Sequence, residues 1–185
     1  VYVPKMRITK INPRYEHWRS FIGSVPDIFE QEGKEIYNKR NLIKMLTAPD
    51  GTAVNVKRYH VPHGPNRLVY SWGIRKPKCQ RAFDYPMILK NKGIETPEPI
   101  AIIEERNWLG LLGYSYLITM QCDYGHTLYE VGDAKAGTYE TLAKALAHFA
   151  AKIHNGNVLH KDFTPGNVLW KQDDEGFHFS LVDIN

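Results

Sequence analysis

The sequence predicts an α+β protein, mainly β up to about residue 120 and then a helix followed by a β-hairpin. Three observations predict it. Leu42–Leu46 and Thr52–Tyr59 flank the turn Ala48-Pro49-Asp50-Gly51, and the second run is β-branched at Thr52, Val54 and Val56. Tyr139, Leu142, Ala143, Leu146, Phe149, Ala150 and Ile153 recur with the 3.6-residue period of an amphipathic helix over Tyr139–His154. Val168–Trp170 and Phe177–Ile184 are extended runs on either side of the polar turn Gln172–Gly176.

The other elements follow in order. Tyr2–Ile11 alternates loosely and reads as a strand. Pro13–Ile22 reads as a short helix with Trp18, Phe21 and Ile22 on its apolar side, and Gly23–Pro26 is expected to break it. From Gly33 the chain is extended, with the polar turn Asn38-Lys39-Arg40-Asn41 after Ile36-Tyr37. Lys76–Lys92 reads as a helix stopped by Gly93. Pro86 inside it removes a backbone bond, so a kink is expected there, or a regular part that begins near Asp84. Pro97–Ile103 and Tyr114–Met120 read as further strands, and Gln121–Gly125 as a connector.

Bulk properties exclude several classes. The 185 residues are 43% hydrophobic and 24% charged, the composition of an ordinary globular chain. A net charge of +4 suits anionic ligands such as nucleotides or phosphorylated glycans. No basic stripe interleaves with aromatics, so nucleic acid is not an expected partner. Cys79 and Cys122 form no C-x-x-C pair and read as free thiols in a reducing compartment. His60 and His63 sit in a Pro/Gly-containing loop and lack the further ligands a zinc site needs. No apolar run reaches membrane-span length, and no signal peptide is visible. The chain starts at Val1, so its true N-terminus is expected to lie upstream. A soluble cytoplasmic protein, working peripherally near the inner membrane face, is the expectation.

The chemistry concentrates in His160-Lys161-Asp162-Phe163-Thr164-Pro165-Gly166-Asn167. Phosphoryl transfer needs a carboxylate that orients the accepting hydroxyl and takes its proton, and hard oxygen ligands for magnesium beside the phosphates. Asp162 and Asn167 supply both from one loop, and His160 completes the H-x-D-x-x-x-x-N pattern. Asp183, sixteen residues after Asn167, ends the returning strand where a second magnesium ligand belongs. Lys57, in Val54-Asn55-Val56-Lys57, matches the strand pattern of a phosphate-binding lysine, and alternation puts Asn55 and Lys57 on one face. Together these predict a protein-kinase-like bilobal fold that gathers Lys57, Asp162, Asn167 and Asp183 around one cleft.

The segment from Asp162 to Asn167 has the D-x-x-P-G-N form and resembles small-molecule phosphotransferases of the kinase superfamily. Thr164 stands where serine/threonine protein kinases usually carry Lys. Over most of its length the chain resembles the lipopolysaccharide kinase family of the Kdo/WaaP, InaA-like type. The stretches that carry this are Arg40–Lys44, Val56–Tyr59, Gly93–Ala101, His160–Asn167 and Leu181–Asn185. The resemblance implies an ATP- and magnesium-dependent kinase that phosphorylates a sugar of lipopolysaccharide core. Its lobes would be an N-terminal extension over 1–30, a β-rich lobe over 31–120, a hinge over 121–125 and the start of a helical lobe over 126–185. That lobe is expected to be incomplete, because kinases continue past this point into an activation segment. The resemblance also implies Asp84 as the acidic partner of Lys57, and the Met120–Cys122 backbone as the adenine contact.

Two departures stand out. The turn before Leu42 contains no glycine, so Lys39 and Arg40 would have to replace backbone N–H groups at the phosphates with side-chain charge; the alternative is a plain solvated turn. The glycine of the D-F-G triplet is replaced in Asp183-Ile184-Asn185. A catalytically impaired pseudokinase scaffold and a protein kinase are the competing readings.

Overall fold

Six strands pair into one antiparallel sheet: β1 (Met6–Ile11), β2 (Lys34–Asn38), β3 (Leu42–Thr47), β4 (Ala53–Tyr59), β5 (Pro99–Arg106) and β6 (Leu112–Met120). Their order across the sheet is β1-β5-β6-β4-β3-β2. The structure, a computed structural model, describes residues 6–39, 41–132 and 134–184. The chain divides into two compact units: the first runs to Asp84 and includes Glu98–Gln121, and the second comprises Tyr85–Pro97 and Cys122–Ile184.

In the first unit, alternation along β4 sends Val54 and Val56 into a core with Trp18, Ile22, Val25 and Phe29. Those four belong to a 3-10 stretch (Pro13–Trp18) and to α1 (Arg19–Ile28), together with the residue that follows it. The expected break at Gly23–Pro26 does not occur, and α1 runs through Pro26 to Ile28. An interior proline costs about 3 kcal/mol. Burial of Ile22, Val25 and Phe29, at about 1.5–3 kcal/mol each, outweighs it. Asn12 fixes the entry: its Oδ1 accepts from Arg14 N–H, and its Nδ2 donates to Pro99 O at 2.9 Å. The exit is fixed by Lys44, whose buried ammonium donates to the carbonyls of Phe29 (2.7 Å), Glu30 (3.2 Å) and Glu32 (3.3 Å). A cation on the last carbonyls of a helix satisfies groups that have no partner within it.

The other face of the sheet carries Tyr59, Ile102 and Leu117 against Cys79, Ala82 and Phe83. Those last three lie on α3 (Lys78–Asn91), which holds Pro86 in its interior. The division between units falls in this helix, between Asp84 and Tyr85. Gly93, at φ +69°, follows it, a left-handed conformation that favours glycine. The short helix α2 (Pro65–Ser71) precedes α3 and has no counterpart in the hydrophobic pattern.

Fully buried Glu104 accepts from Gln80 Nε2 at 2.8 Å and from Arg106 Nη2 at 2.9 Å, with Cys79 Sγ at 3.5 Å. Burial, reinforced by this carboxylate, pushes the Cys79 thiol up to about 12. In the native protein Cys79 is therefore expected to resist alkylation at neutral pH, while half-buried Cys122 reacts slowly. Mass spectrometry of the alkylated protein checks this, and equal native-state modification of both thiols would contradict it.

In the second unit, α5 (Glu140–Asn155) lays Leu142, Leu146, Phe149 and Ile153 against Val168, Trp170, Phe179 and Leu181. The latter belong to the hairpin β8 (Val168–Asp173) and β9 (Gly176–Leu181), and Phe149 stacks on Phe179 with centroids 5.1 Å apart. A two-residue strand, β7 (His126–Thr127), extends the hairpin, and one helical turn, α4 (Tyr129–Gly132), follows it.

Candidate active site

The loop between α5 and β8 is held by its own side chains. His160 Nε2 donates to Val182 O at 3.2 Å, and its Nδ1 accepts the Asp162 N–H at 3.2 Å. These two bonds place the ring proton on Nε2. Asn167 Nδ2 donates to Asp162 O at 3.0 Å and to Asp162 Oδ2 at 3.1 Å. The Thr164 N–H returns to Asp162 O, and the Asn167 N–H to Thr164 O, both at 2.9 Å. The loop is thus tied by backbone and side-chain bonds, yet Asp162 stays exposed.

Asp183 is brought to this loop by the hairpin. Val168 pairs with Leu181, and the Val182 N–H donates to Asn167 O at 3.0 Å. Val182 is therefore bonded to both ends of the loop, through His160 and Asn167, and Asp183 is the next residue. Asp183 has φ +57°, a left-handed conformation costing a non-glycine residue on the order of 1 kcal/mol. Such conformations concentrate at functional sites, because surrounding structure must hold them. Among the described residues, Asn167 Oδ1 takes no bond while its amide nitrogen is used twice. Amide oxygen and carboxylate are hard donors, the kind that suit magnesium.

Gly166 lets an exposed ring approach the loop closely. A Cβ there would lie 2.9 Å from Cε2 of Tyr129, a ring that sits exposed over the loop.

Lys57 belongs to the first unit. It pairs with Ile43 on one side and Leu117 on the other, on the face opposite Val54 and Val56, as alternation predicts. Its ammonium lies 5.1 Å from the centroid of the Tyr59 ring. Asp84 bonds to two lysines other than Lys57. Its carboxylate accepts from Lys10 at 2.7 Å and from Lys76 at 3.4 Å. Burial raises its pKa, but the bonds from the two lysines outweigh this and hold it below the usual carboxylate range. The reason is geometric: β1 is the sheet edge beside β5, and this places Lys10 at the aspartate.

The adenine-contact reading is narrowed in the same way. The Met120 N–H donates to Glu98 O at 2.9 Å and the Gln121 N–H to Ala53 O at 3.2 Å, so both donors are spent within the sheet. Burial raises the pKa of the Cys122 thiol. Lys39 is exposed next to the turn between β2 and β3, and Arg40 lies outside the described residues.

Solved structures with similar folds include kinases. One is WaaP in complex with acyl carrier protein, with a TM-score of 0.56 and 17% identity over 96% of this chain and 70% of that one. The Rio2 kinase–ADP/Mg²⁺–phosphoaspartate complex from Chaetomium thermophilum gives a TM-score of 0.58 at 14% identity, over 92% of this chain and 53% of that one. A MAP kinase of Leishmania major gives 0.50 at 14%, over 91% and 50%. The chain thus has a protein-kinase-like fold and spans only about half of the last two. The lipopolysaccharide kinase (Kdo/WaaP) family matches residues 32–185, and the chain belongs to that family. No curated protein matches the sequence.

Proposed function

We propose that the chain is the nucleotide-handling part of an ATP- and magnesium-dependent phosphotransferase whose acceptor is a sugar hydroxyl of lipopolysaccharide core. The observation that carries this reading is the loop His160–Asn167 tied to Val182 and followed by Asp183. It supports a role for each side chain. Asp162 orients the acceptor hydroxyl and receives its proton. Asn167 Oδ1 and the Asp183 carboxylate are the groups that would hold magnesium, which when bound neutralises charge on the phosphates of ATP. Asn167 also fixes Asp162 through its amide, so one residue serves both functions. His160 is a positioning residue that joins the loop to Val182.

Lys57 faces the α- and β-phosphates in this reading, and Lys39 and Arg40 lend charge from the glycine-free turn. Adenine is contacted by backbone near Cys122, since the donors at Met120 and Gln121 are taken. A cytoplasmic location follows from the need for ATP. Among the described residues no helix is long and apolar enough to cross a membrane.

The test is transfer of labelled γ-phosphate from ATP to purified lipopolysaccharide core by the full-length protein. Transfer is expected only with magnesium, and Lys57→Ala is expected to weaken both ATP binding and turnover. The absence of glycine between Asn38 and Asn41 favours a second reading, a scaffold that binds nucleotide without transferring phosphate. Magnesium-dependent ATP binding with no transfer to any core sugar would select it.

A further inference from the structure

Two exposed apolar turns of the first unit are bound to each other by one guanidinium. The first is the end of α2, where Trp72 is 68% and Ile74 72% exposed. The second joins β5 to β6, where Trp108 is 75% and Leu109 58% exposed. Arg106 Nη1 donates to Ser71 O, beside Trp72, and to Gly110 O, beside Leu109, both at 3.0 Å. Buried Glu104 holds that guanidinium from behind. Ser71 Oγ accepts the Leu112 N–H at 2.8 Å, and Arg67 Nε donates to Leu112 O at 2.9 Å. Asn107 Oδ1 accepts from the N–H groups of Leu109 and Leu111, which shapes the second turn. A buried ion pair and six further bonds thus hold large apolar side chains in water, where they gain nothing from folding.

The sequence around the first turn is strongly basic, with Asp84, the acceptor of Lys76, at its far end. From Gly51 to Phe83 the sequence carries Lys57, Arg58, Arg67, Arg75, Lys76, Lys78 and Arg81 and no Asp or Glu. Arg75 and Lys76 are exposed and directly follow Ile74. Exposed tryptophan beside Leu and Ile, bordered by Lys and Arg, is the composition that lodges at the headgroup level of a bilayer. Cations there add attraction to anionic lipid.

We propose that the α2 end and the β5–β6 turn form a membrane-docking surface that seats the protein on an anionic phospholipid bilayer. The inference does not depend on the catalytic reading, since none of these residues has a role in that site. A bilayer accounts for both halves of the observation. Trp72, Ile74, Trp108 and Leu109 leave water at the interface, and Arg75 and Lys76 stay at the charged headgroups.

The test is flotation of the full-length protein with vesicles of phosphatidylethanolamine and phosphatidylglycerol, against vesicles of phosphatidylcholine alone. Wild-type protein is expected to float with the anionic vesicles, less so in high salt, and its tryptophan emission to shift to the blue. Trp18 and Trp170 are buried, so the shift reports Trp72 and Trp108. The double variant W72S/W108S is expected to partition about tenfold less or weaker and to lose the shift. Its melting temperature and ATP affinity should stay at wild-type values, which separates loss of docking from loss of folding. Three results would overturn the proposal: no flotation of the wild type, equal flotation of the double variant, or stable binding of an acidic protein at this surface in place of vesicles.

Discussion

Asp162→Asn is expected to lower phosphate transfer by on the order of 10²–10⁴ while leaving ATP affinity near the wild-type value. The asparagine is nearly isosteric and can still meet the Asn167 amide, now through its carbonyl oxygen. What it loses is the negative charge that orients a hydroxyl and takes its proton. In the proposed reading the nucleotide loses nothing, because Asp162 acts on the acceptor hydroxyl and not on the phosphates. The same split would not follow from a structural role, which would lower stability and nucleotide binding together. Measuring kcat and ATP affinity on full-length protein decides between them, and wild-type transfer by the variant would remove this loop from the chemistry.

Lys44→Met is expected to destabilise the first unit by about 2–4 kcal/mol. The ammonium is buried and bonded to three carbonyls at the exit of α1. Methionine fills much of the volume but leaves those acceptors unpaired, each at about 1–3 kcal/mol where water cannot reach. Glu30 and Glu32 are exposed and their carbonyls can recover water, which holds the total below the sum. Chemical denaturation would register the change as a lower midpoint with an unchanged slope. Lys44→Arg should lose less, since it keeps the charge. A midpoint unaltered by Lys44→Met would mean that α1 contributes little to this unit.

Local patterns were legible in the sequence, and partners far along the chain were not. The loop His160–Asn167 could be read because its residues sit within eight positions of each other, and three of its side-chain bonds close within that span. The helix α5 could be read because its apolar period is unbroken. The β3–β4 hairpin could be read from its turn and its β-branched residues. Pro26 misled, because local propensity argues for a break and tertiary burial of Ile22, Val25 and Phe29 decides otherwise. The pairing of Asp84 with Lys10 joins residues 74 positions apart and follows from strand order. The commitment of the Met120 N–H depends on its contact with Glu98. Lys44 carried a readable sign, since Leu42, Lys44 and Leu46 share one parity, but its carbonyl partners lie on a helix end that the sequence appeared to terminate earlier. The helix α2 has seven residues and no buried side chain, so it has no apolar period to detect.

The central claim is that Asn167 and Asp183 hold the metal through which ATP is bound and Asp162 acts. Calorimetry of ATP binding to the full-length protein, with magnesium and then with chelator, tests it most directly. Wild-type affinity is expected to fall by about tenfold or more in chelator, the loss of a divalent bridge to the phosphates. The double variant N167A/D183A is expected to bind ATP equally weakly in both conditions. Equal wild-type affinity with and without magnesium would contradict the account.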